Sequence, residues 1–225
     1  MQPYFFPYTG YFQLINAADI FVFYDDVHYI NRGWINRNKI LINDQARYIT
    51  VQLKSASQNK RINQIEILDN RDKLLKSIAL AYKQAPYYQE VMPLLEACLG
   101  ADVKHIAGLA ALSVRAVCDY LGIKREFLFS GVQFQNTVEE RGADRLISIA
   151  RQCGAPNYIN AIGGKELYSK EYFRNKGISL CFVQPELTGY RQFNDTFVPG
   201  LSIIDVLMFN SAEETRSMLN NYTLI

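Results

Sequence analysis

The chain has 225 residues, enough to bury roughly 70% of its unfolded surface, so neither a disulfide nor a metal is needed to hold it together. Hydrophobic residues at 49% and charged residues at 20% exclude intrinsic disorder. A net charge of +2 gives no long-range field that would draw nucleic acid to the molecule as a whole.

The N-terminus lacks a basic stretch followed by an apolar core, and no apolar run approaches membrane-spanning length. Neither a signal peptide nor a membrane partner is expected. Four cysteines, Cys98, Cys118, Cys153 and Cys181, lie far apart and read as reduced thiols of a cytoplasmic protein. His28 and His105 have no cysteine near them, so no zinc site is expected. Aromatics reach 13%, with 15 Tyr and 13 Phe beside a single Trp. That excess marks where the sequence departs from an average globular chain.

In chain order, Gly10 opens a short helix over Tyr11–Ala18. Ile20–Tyr24, a compact run of branched and aromatic residues, reads as a buried strand. Lys39–Ile42 and Tyr48–Leu53 flank Asn43-Asp44-Gln45-Ala46 as a hairpin, and Ile62, Ile65 and Ile67 continue as an extended edge. Asp72–Gln84 repeats apolar residues at three- and four-residue spacing (Leu75, Ile78, Ala79, Tyr82), as a helix with one buried face does. Pro86 and Pro93 break the chain around a second helix. A third covers Val103–Leu121, with Gly122 placed as its C-cap. Glu126–Phe129 is a strand and Ala143–Gln152 a helix closing at Gly154. Asn157–Asn160 and Ser179–Val183 are strands around a helix at Lys165–Asn175. Ile203–Phe209 and Glu213–Asn221 are helical. Alternation of strand and helix at both ends predicts an α/β fold. The expected form is a Rossmann-like, mainly parallel sheet flanked by helices. A helical insertion at about 70–122 and a small antiparallel hairpin would complete a single domain over 1–225.

Four clusters carry candidate chemistry. At the N-terminus stand Gln2, Pro3, Phe6, Pro7, Tyr8, Gly10, Tyr11 and Phe12. Two prolines and a glycine fix an irregular path into the first helix, which suits either a ligand crevice or a rigid aromatic plug. Asp25 and Asp26 follow an apolar strand, where α/β sheets bind ligands, and are the candidate catalytic carboxylates. Neighbouring residues of a strand point to opposite faces, so both enter one site only if a turn begins there.

Arg32, Trp34, Asn36 and Arg37 offer planar donors and a stacking face. A small anionic ligand fits better than single-stranded nucleic acid at this net charge. Arg145, Tyr158, Gly163, Gly164, Lys165 and Tyr168 form the last cluster, in which Gly163-Gly164 is either an anion-holding turn or a plain strand-to-helix turn. Ser202 is placed as the N-cap of the helix from Ile203, with Asp205 at the capping-box position. His28 reads as a solvated turn residue, and no nucleophilic triad is visible.

The stretches MQPYFFPYTGYFQLINAADIFVFYDDV, RGWINRNKIL, RLISIARQCGAPNYI and FVPGLSIIDVL resemble the WbqC-like family, found among bacterial O-antigen and surface-polysaccharide genes. Relatives carry several apolar residues before the Gln-Pro pair, forming a first strand, whereas here Met1 directly precedes Gln2. The resemblance implies a cytoplasmic transferase that acylates or aminoacylates the amine of a nucleotide-linked amino sugar. Its alternative is a non-catalytic binding subunit that partners a sugar-modifying enzyme.

Pro7-Tyr8-Thr9-Gly10-Tyr11-Phe12, followed by a helix and a strand, is also similar to the His-x-Gly-His entrance of the nucleotidyltransferase superfamily. Tyr8 and Tyr11 replace both histidines. Tyrosine, with its pKa near 10, supplies no positive charge to a pentavalent phosphate, so ATP is not the expected cofactor. A donor activated beforehand, such as a thioester or an aminoacyl-tRNA, is. Nucleic acid is expected as a partner only in that role, beside a small nucleotide-sugar ligand.

Overall fold

The computed structural model describes residues 1–225. Pro3 and Pro7 lead into helix α1 (Thr9–Asn16), where the Tyr8 ring packs so close to Gly10 that a Cβ there would lie 2.5 Å from it and the ring would have to shift. Strand β1 (Ile20–Phe23) follows directly. Strands β2 (Arg37–Ile42) and β3 (Gln45–Thr50) pair antiparallel with Lys39 opposite Tyr48. Their turn is only Asn43-Asp44, both at positive φ (49° and 57°), the tight geometry whose twist matches the strands. The four-residue turn read from the sequence is therefore too long: Gln45 and Ala46 already belong to β3. Two-residue strands β4 (Leu53–Lys54) and β5 (Glu66–Ile67) form a minor antiparallel pair.

Three helices fill the middle of the chain: α2 (Arg71–Tyr82), α3 (Tyr88–Gly100) and α4 (Ile106–Tyr120). In α2 the buried face is Leu74, Ile78 and Tyr82, an i, i+4, i+8 stripe. Pro93 does not end the second helix as its sequence position suggested; it lies inside α3, which packs against α2 and α4. Tertiary packing here outweighs the one backbone hydrogen bond that proline removes. Gly122 at φ 68° closes α4, and His105 precedes that helix rather than lying in it.

The second half runs β6 (Glu126–Phe129), a single helical turn α5 (Ser130–Gln133), α6 (Gly142–Gln152), β7 (Asn157–Ala161), α7 (Lys170–Asn175) and β8 (Ser179–Pro185). Helix α7 starts five residues later than expected, because the Ser169 side chain accepts from the Tyr172 N–H and sets the N-cap there. Helices α8 (Ile203–Phe209) and α9 (Ala212–Met218) and strand β9 (Tyr222–Leu224) end the chain.

The fold is α/β, with its strands divided among several small sheets. β1 pairs parallel with β6 (Ile20 opposite Glu126 through Phe23 opposite Phe129), and β7 pairs parallel with β8. β9 adds to β8 antiparallel. Between β1 and β7 lies a mostly apolar cavity of about 430 Å³, lined by Met1, Phe21, Val22, Leu146, Ile149 and Ile159 among others. Helix α1 lies against β7 and β8, and α6 against β7. The main core joins α1, the β2–β3 hairpin, α2 to α4 and α8. A smaller one, built on Leu146, Ile147, Phe173, Leu180 and Phe182, holds α6 and α7 to β8. All four cysteines are free; burial pushes the Cys98 and Cys118 thiols up to about 11 and about 12. No helix is long and apolar enough to cross a membrane.

Candidate functional site

Because β1 and β6 are parallel and in register, both carboxyl ends open on the same edge. Asp25 and Asp26 leave the end of β1, and Ser130-Gly131 leaves the end of β6. β1 stops at Phe23, so the alternation of a strand no longer separates the two carboxylates. Both reach one hydroxyl: Ser130 Oγ lies 2.5 Å from Asp26 Oδ1 and 3.2 Å from Asp25 Oδ1, and it accepts the Asp25 N–H at 3.1 Å. A third segment is tied in through the Asn63 N–H, which donates to the Asp25 carbonyl at 2.9 Å.

The two acids have different surroundings. Asp26 Oδ2 receives Nη2 of Arg145 at 2.6 Å, in an ion pair whose side chains are 4% and 3% exposed. Arg145 Nε donates to Thr137 Oγ1 at 3.1 Å, and its Cζ sits 4.8 Å from the centre of the Tyr24 ring. Burial alone would lower the guanidinium pKa, but the bond to Asp26 and the neighbouring Tyr24 raise it, so this cation is permanently charged. Asp25 has no cation. Its Oδ1 accepts the Gly131 N–H at 2.8 Å, and Asn63 Nδ2 stands 3.5 Å from Oδ2. Burial pushes the Asp25 carboxyl above the ordinary range, and the Asp26 charge adds to this against the hydrogen bonds from Gly131 and Ser130. A buried carboxyl with a raised pKa and no ion-pair partner has the character of a general base or acid. Asp26 is paired with a cation, whereas Asp25 is held by uncharged donors alone.

The remaining sequence candidates are distributed over several places. Tyr24, Tyr158 and Tyr168 all pack against the smaller core, Tyr158 stacked on Phe173 with ring centres 5.5 Å apart. Burial pushes the Tyr158 hydroxyl well up. Gly164 is buried where a Cβ would come within 2.6 Å of Asn160 Nδ2, while Gly163 and Lys165 are exposed around the one-turn helix 162–164. Tyr11 is buried and donates to the Gln2 carbonyl at 2.8 Å, beside Gly10. Tyr8 lines a small cavity of about 70 Å³ with Tyr190 and Pro199. Arg32, Trp34 and Arg37 lie at the hairpin. Asn36 is buried, accepting from Tyr29 Oη at 2.9 Å and donating to the Val51 carbonyl at 2.8 Å. No hydrogen bond joins the N-terminal or hairpin residues to the Asp25–Asp26 cluster. His28 is exposed.

Tertiary structure thus unites Asp25 and Asp26 with Arg145, 119 residues from Asp26, and adds Asn63, Ser130, Gly131 and Thr137, which the sequence reading passed over. A signal existed for two of them. Ser130-Gly131 directly follows a strand, in the position equivalent to Tyr24-Asp25. Asn63 and Thr137 carried none.

A second buried carboxylate has a different character. Asp205 accepts Tyr82 Oη and Tyr190 Oη at 2.6 Å each and Gln192 Nε2 at 2.7 Å. Burial raises its pKa in spite of these donors. Ser202 does cap α8, accepting the Ile204 N–H at 3.2 Å. Asp205 does not complete a capping box, because the Ser202 N–H goes to the Lys39 carbonyl and the carboxylate is taken by the three side chains. The network ties α2, the late loop and α8 together. No group of three His, Cys, Asp or Glu side chains lies close enough to hold a metal ion.

Comparison with known proteins adds to this geometry. The sequence profile of the WbqC-like protein family matches residues 2–217. An uncharacterized protein of Mycobacterium tuberculosis, Rv1507c, is 28% identical over 228 residues, spanning 97% of this chain and 95% of that protein. No solved structure matches. With nearly every residue inside the matched range, the chain belongs to the WbqC-like protein family.

Proposed function

We propose that the protein is a transferase of bacterial surface-polysaccharide biosynthesis that acylates or aminoacylates the amine of a nucleotide-linked amino sugar. The observation that carries this reading is Asp25, a buried carboxyl of raised pKa without a cation, at the carboxyl edge of a parallel strand pair. In the proposed step the amine nitrogen attacks the carbonyl carbon of a thioester or aminoacyl ester. The new C–N bond replaces the C–S or C–O bond, Asp25 accepts the amine proton, and that proton passes to the leaving thiolate or alkoxide. Asp26 and Arg145 hold Asp25 and Ser130 in place.

The same proposal takes the two parallel pairs as halves of one Rossmann-like sheet in the order β6, β1, Met1, β7, β8. Its support is that Met1 N donates to the Val22 carbonyl and the Met1 carbonyl accepts from Tyr24 N, both at 2.8 Å, as a parallel neighbour of β1 does. Asp25, Ser130 and the 162–164 turn would then share one crevice. A non-catalytic binding subunit is the second reading, favoured by the way Asp26, Arg145 and Ser130 already satisfy one another.

A thermal-shift panel of nucleotide-linked amino sugars, nucleotide-linked neutral sugars and ATP separates these readings. A ligand at 100 times its dissociation constant adds about 2.7 kcal/mol of stability. Selective stabilisation by an amino sugar is expected. Transfer from an acyl donor, followed by mass spectrometry, should then fall about 100-fold or more in Asp25→Asn. Stabilisation by an amino sugar with full activity in Asp25→Asn removes the carboxylate from the chemistry, and stabilisation by ATP alone refutes the preactivated donor.

A further inference from the structure

The whole chain carries +2, yet its charge is unevenly placed. Between Val27 and Ile65 stand seven Lys or Arg residues and one acid, Asp44, so this segment has a net charge of +6 and the rest is acidic. Of the seven, only Lys54 has a carboxylate partner, Glu66. The others have no ion pair within the protein.

Two of these cations, Arg37 and Lys39, lie beside two exposed aromatic rings, Trp34 in the loop before β2 and Tyr48 on β3. Trp34 is 39% and Tyr48 49% exposed, with ring centres 6.1 Å apart. Arg37 Cζ lies 4.5 Å from the centre of the Tyr48 ring. Lys39 Nζ lies 5.3 Å from Tyr48 and 6.0 Å from Trp34. The antiparallel register explains the grouping: Lys39 opposite Tyr48 and Arg37 opposite Thr50 place all four side chains on one face. β3 is an edge strand, exposed at five of its six residues, so nothing in the protein covers this face.

Two exposed rings beside cations that lack an acidic partner match what a single-stranded polynucleotide presents: a π-face on every base and a charge on every phosphate. Arg37 also donates Nε to the Gly33 carbonyl at 3.0 Å and Nη2 to the Arg32 carbonyl, so Nη1 is the donor left for a phosphate. A duplex hides the base faces, and a simple polyanion has none. We infer that this hairpin face is a docking surface for single-stranded RNA, with bases stacked on Trp34 and Tyr48 and phosphates on Arg37 and Lys39. RNA is chosen over DNA because the exposed Thr50 hydroxyl shares the face and can bond a ribose 2′-hydroxyl. The inference does not need the transfer reaction proposed above. If both hold, an aminoacylated RNA is the donor class that uses both sites.

Trp34 is the only tryptophan in the chain, so intrinsic fluorescence reports on this face alone. The full-length protein is titrated with an oligouridylate of about 12 nucleotides. Quenching of Trp34 is expected, with an affinity that falls as salt rises between roughly 50 and 200 mM. Tyr48→Ala should weaken binding about fivefold or more. Removing both Arg37 and Lys39 should reduce the salt slope by about 1.4, since each phosphate contact on a single strand contributes about 0.7. Of the three positions, Tyr48 is exposed while Arg37 and Lys39 are half-buried and Arg37 holds two backbone carbonyls, so unchanged circular dichroism and Tm are required to show that the variants fold. The absence of quenching overturns the inference and leaves the cations as guards of an edge strand. So does duplex RNA or heparin binding as tightly as the oligouridylate, or both variants binding like the parent chain. Tighter binding of the matching deoxyoligonucleotide overturns the choice of RNA. Loss of RNA binding without loss of amino-sugar binding would separate this surface from the Asp25 site.

Discussion

Replacing Arg145 with methionine isolates the interaction on which the candidate site rests. The guanidinium is 2.6 Å from Asp26 Oδ2, and both side chains are almost wholly buried. The thioether side chain would keep much of the volume but remove the charge, leaving the Asp26 carboxylate beside Asp25 with only the Ser130 hydroxyl to bond. Breaking a buried pair by removing one member costs about 3–5 kcal/mol, because a charge remains without its counter-ion. The lost bond to Thr137 and the contact with Tyr24 act in the same direction. In a chain of this size each kcal/mol moves Tm by about 2–4 °C, so a fall of roughly 6–20 °C is expected. Urea unfolding at pH 7.5 measures the free energy directly. Asp26→Asn combined with Arg145→Met removes both charges and should recover part of the loss, giving a coupling of about 1.5–3 kcal/mol. A single-variant loss under about 1 kcal/mol, or strictly additive losses, would refute the claim that this ion pair holds the site.

Three further expectations follow from neighbouring groups. Burial raises the Asp25 pKa, so the folded state holds that proton to higher pH than the unfolded chain; stability contributed by Asp25 is present in acid and lost as pH rises through its folded pKa. Asp25→Asn should therefore flatten the fall in stability as pH rises above about 4, the ordinary carboxyl value, and an unaltered curve from urea titrations would contradict the assignment. At Gly131 an added Cβ would stand 2.6 Å from Asn63 Nδ2 and 3.1 Å from Asp25 Oδ1. Gly131→Ala should cost about 1–3 kcal/mol in chemical denaturation, and a neutral result would show that Asn63 moves aside freely. Tyr82→Phe removes a donor to Asp205 and the acceptor of the Leu41 N–H at 3.0 Å, so a loss of about 2–4 kcal/mol is expected in the same assay. A loss below about 0.5 kcal/mol would mean that water replaces the hydroxyl.

Local pattern carried most of the element positions. The aromatic and branched run IFVF is a strand because little else accommodates such a sequence, and Gly122 and Gly154 end helices because each takes a left-handed φ, 68° and 65°. Ser202 caps α8 for an equally local reason: its hydroxyl lies two residues from the free N–H it accepts. Pro93 shows the limit of such rules, since its effect on α3 depends on what α3 packs against.

For the site, the order of residues was enough to show that Asp25 and Asp26 follow a strand, and that Arg32, Trp34, Asn36 and Arg37 cluster. It also contained the Ser-Gly pair after a second strand. The folded chain was needed to show that β1 and β6 lie side by side and in register, which turns two separate strand ends into one edge. Folding also joins Arg145 to Asp26 across 119 residues, pairing one carboxylate with a cation and leaving the other without one. The same holds for Tyr82, Tyr190 and Gln192, which the folded chain gathers around Asp205. Range explains the difference. Caps, turns and amphipathic faces are set by neighbours within a few positions, whereas the charge state of a buried acid depends on what the folded chain places within about 4 Å of it.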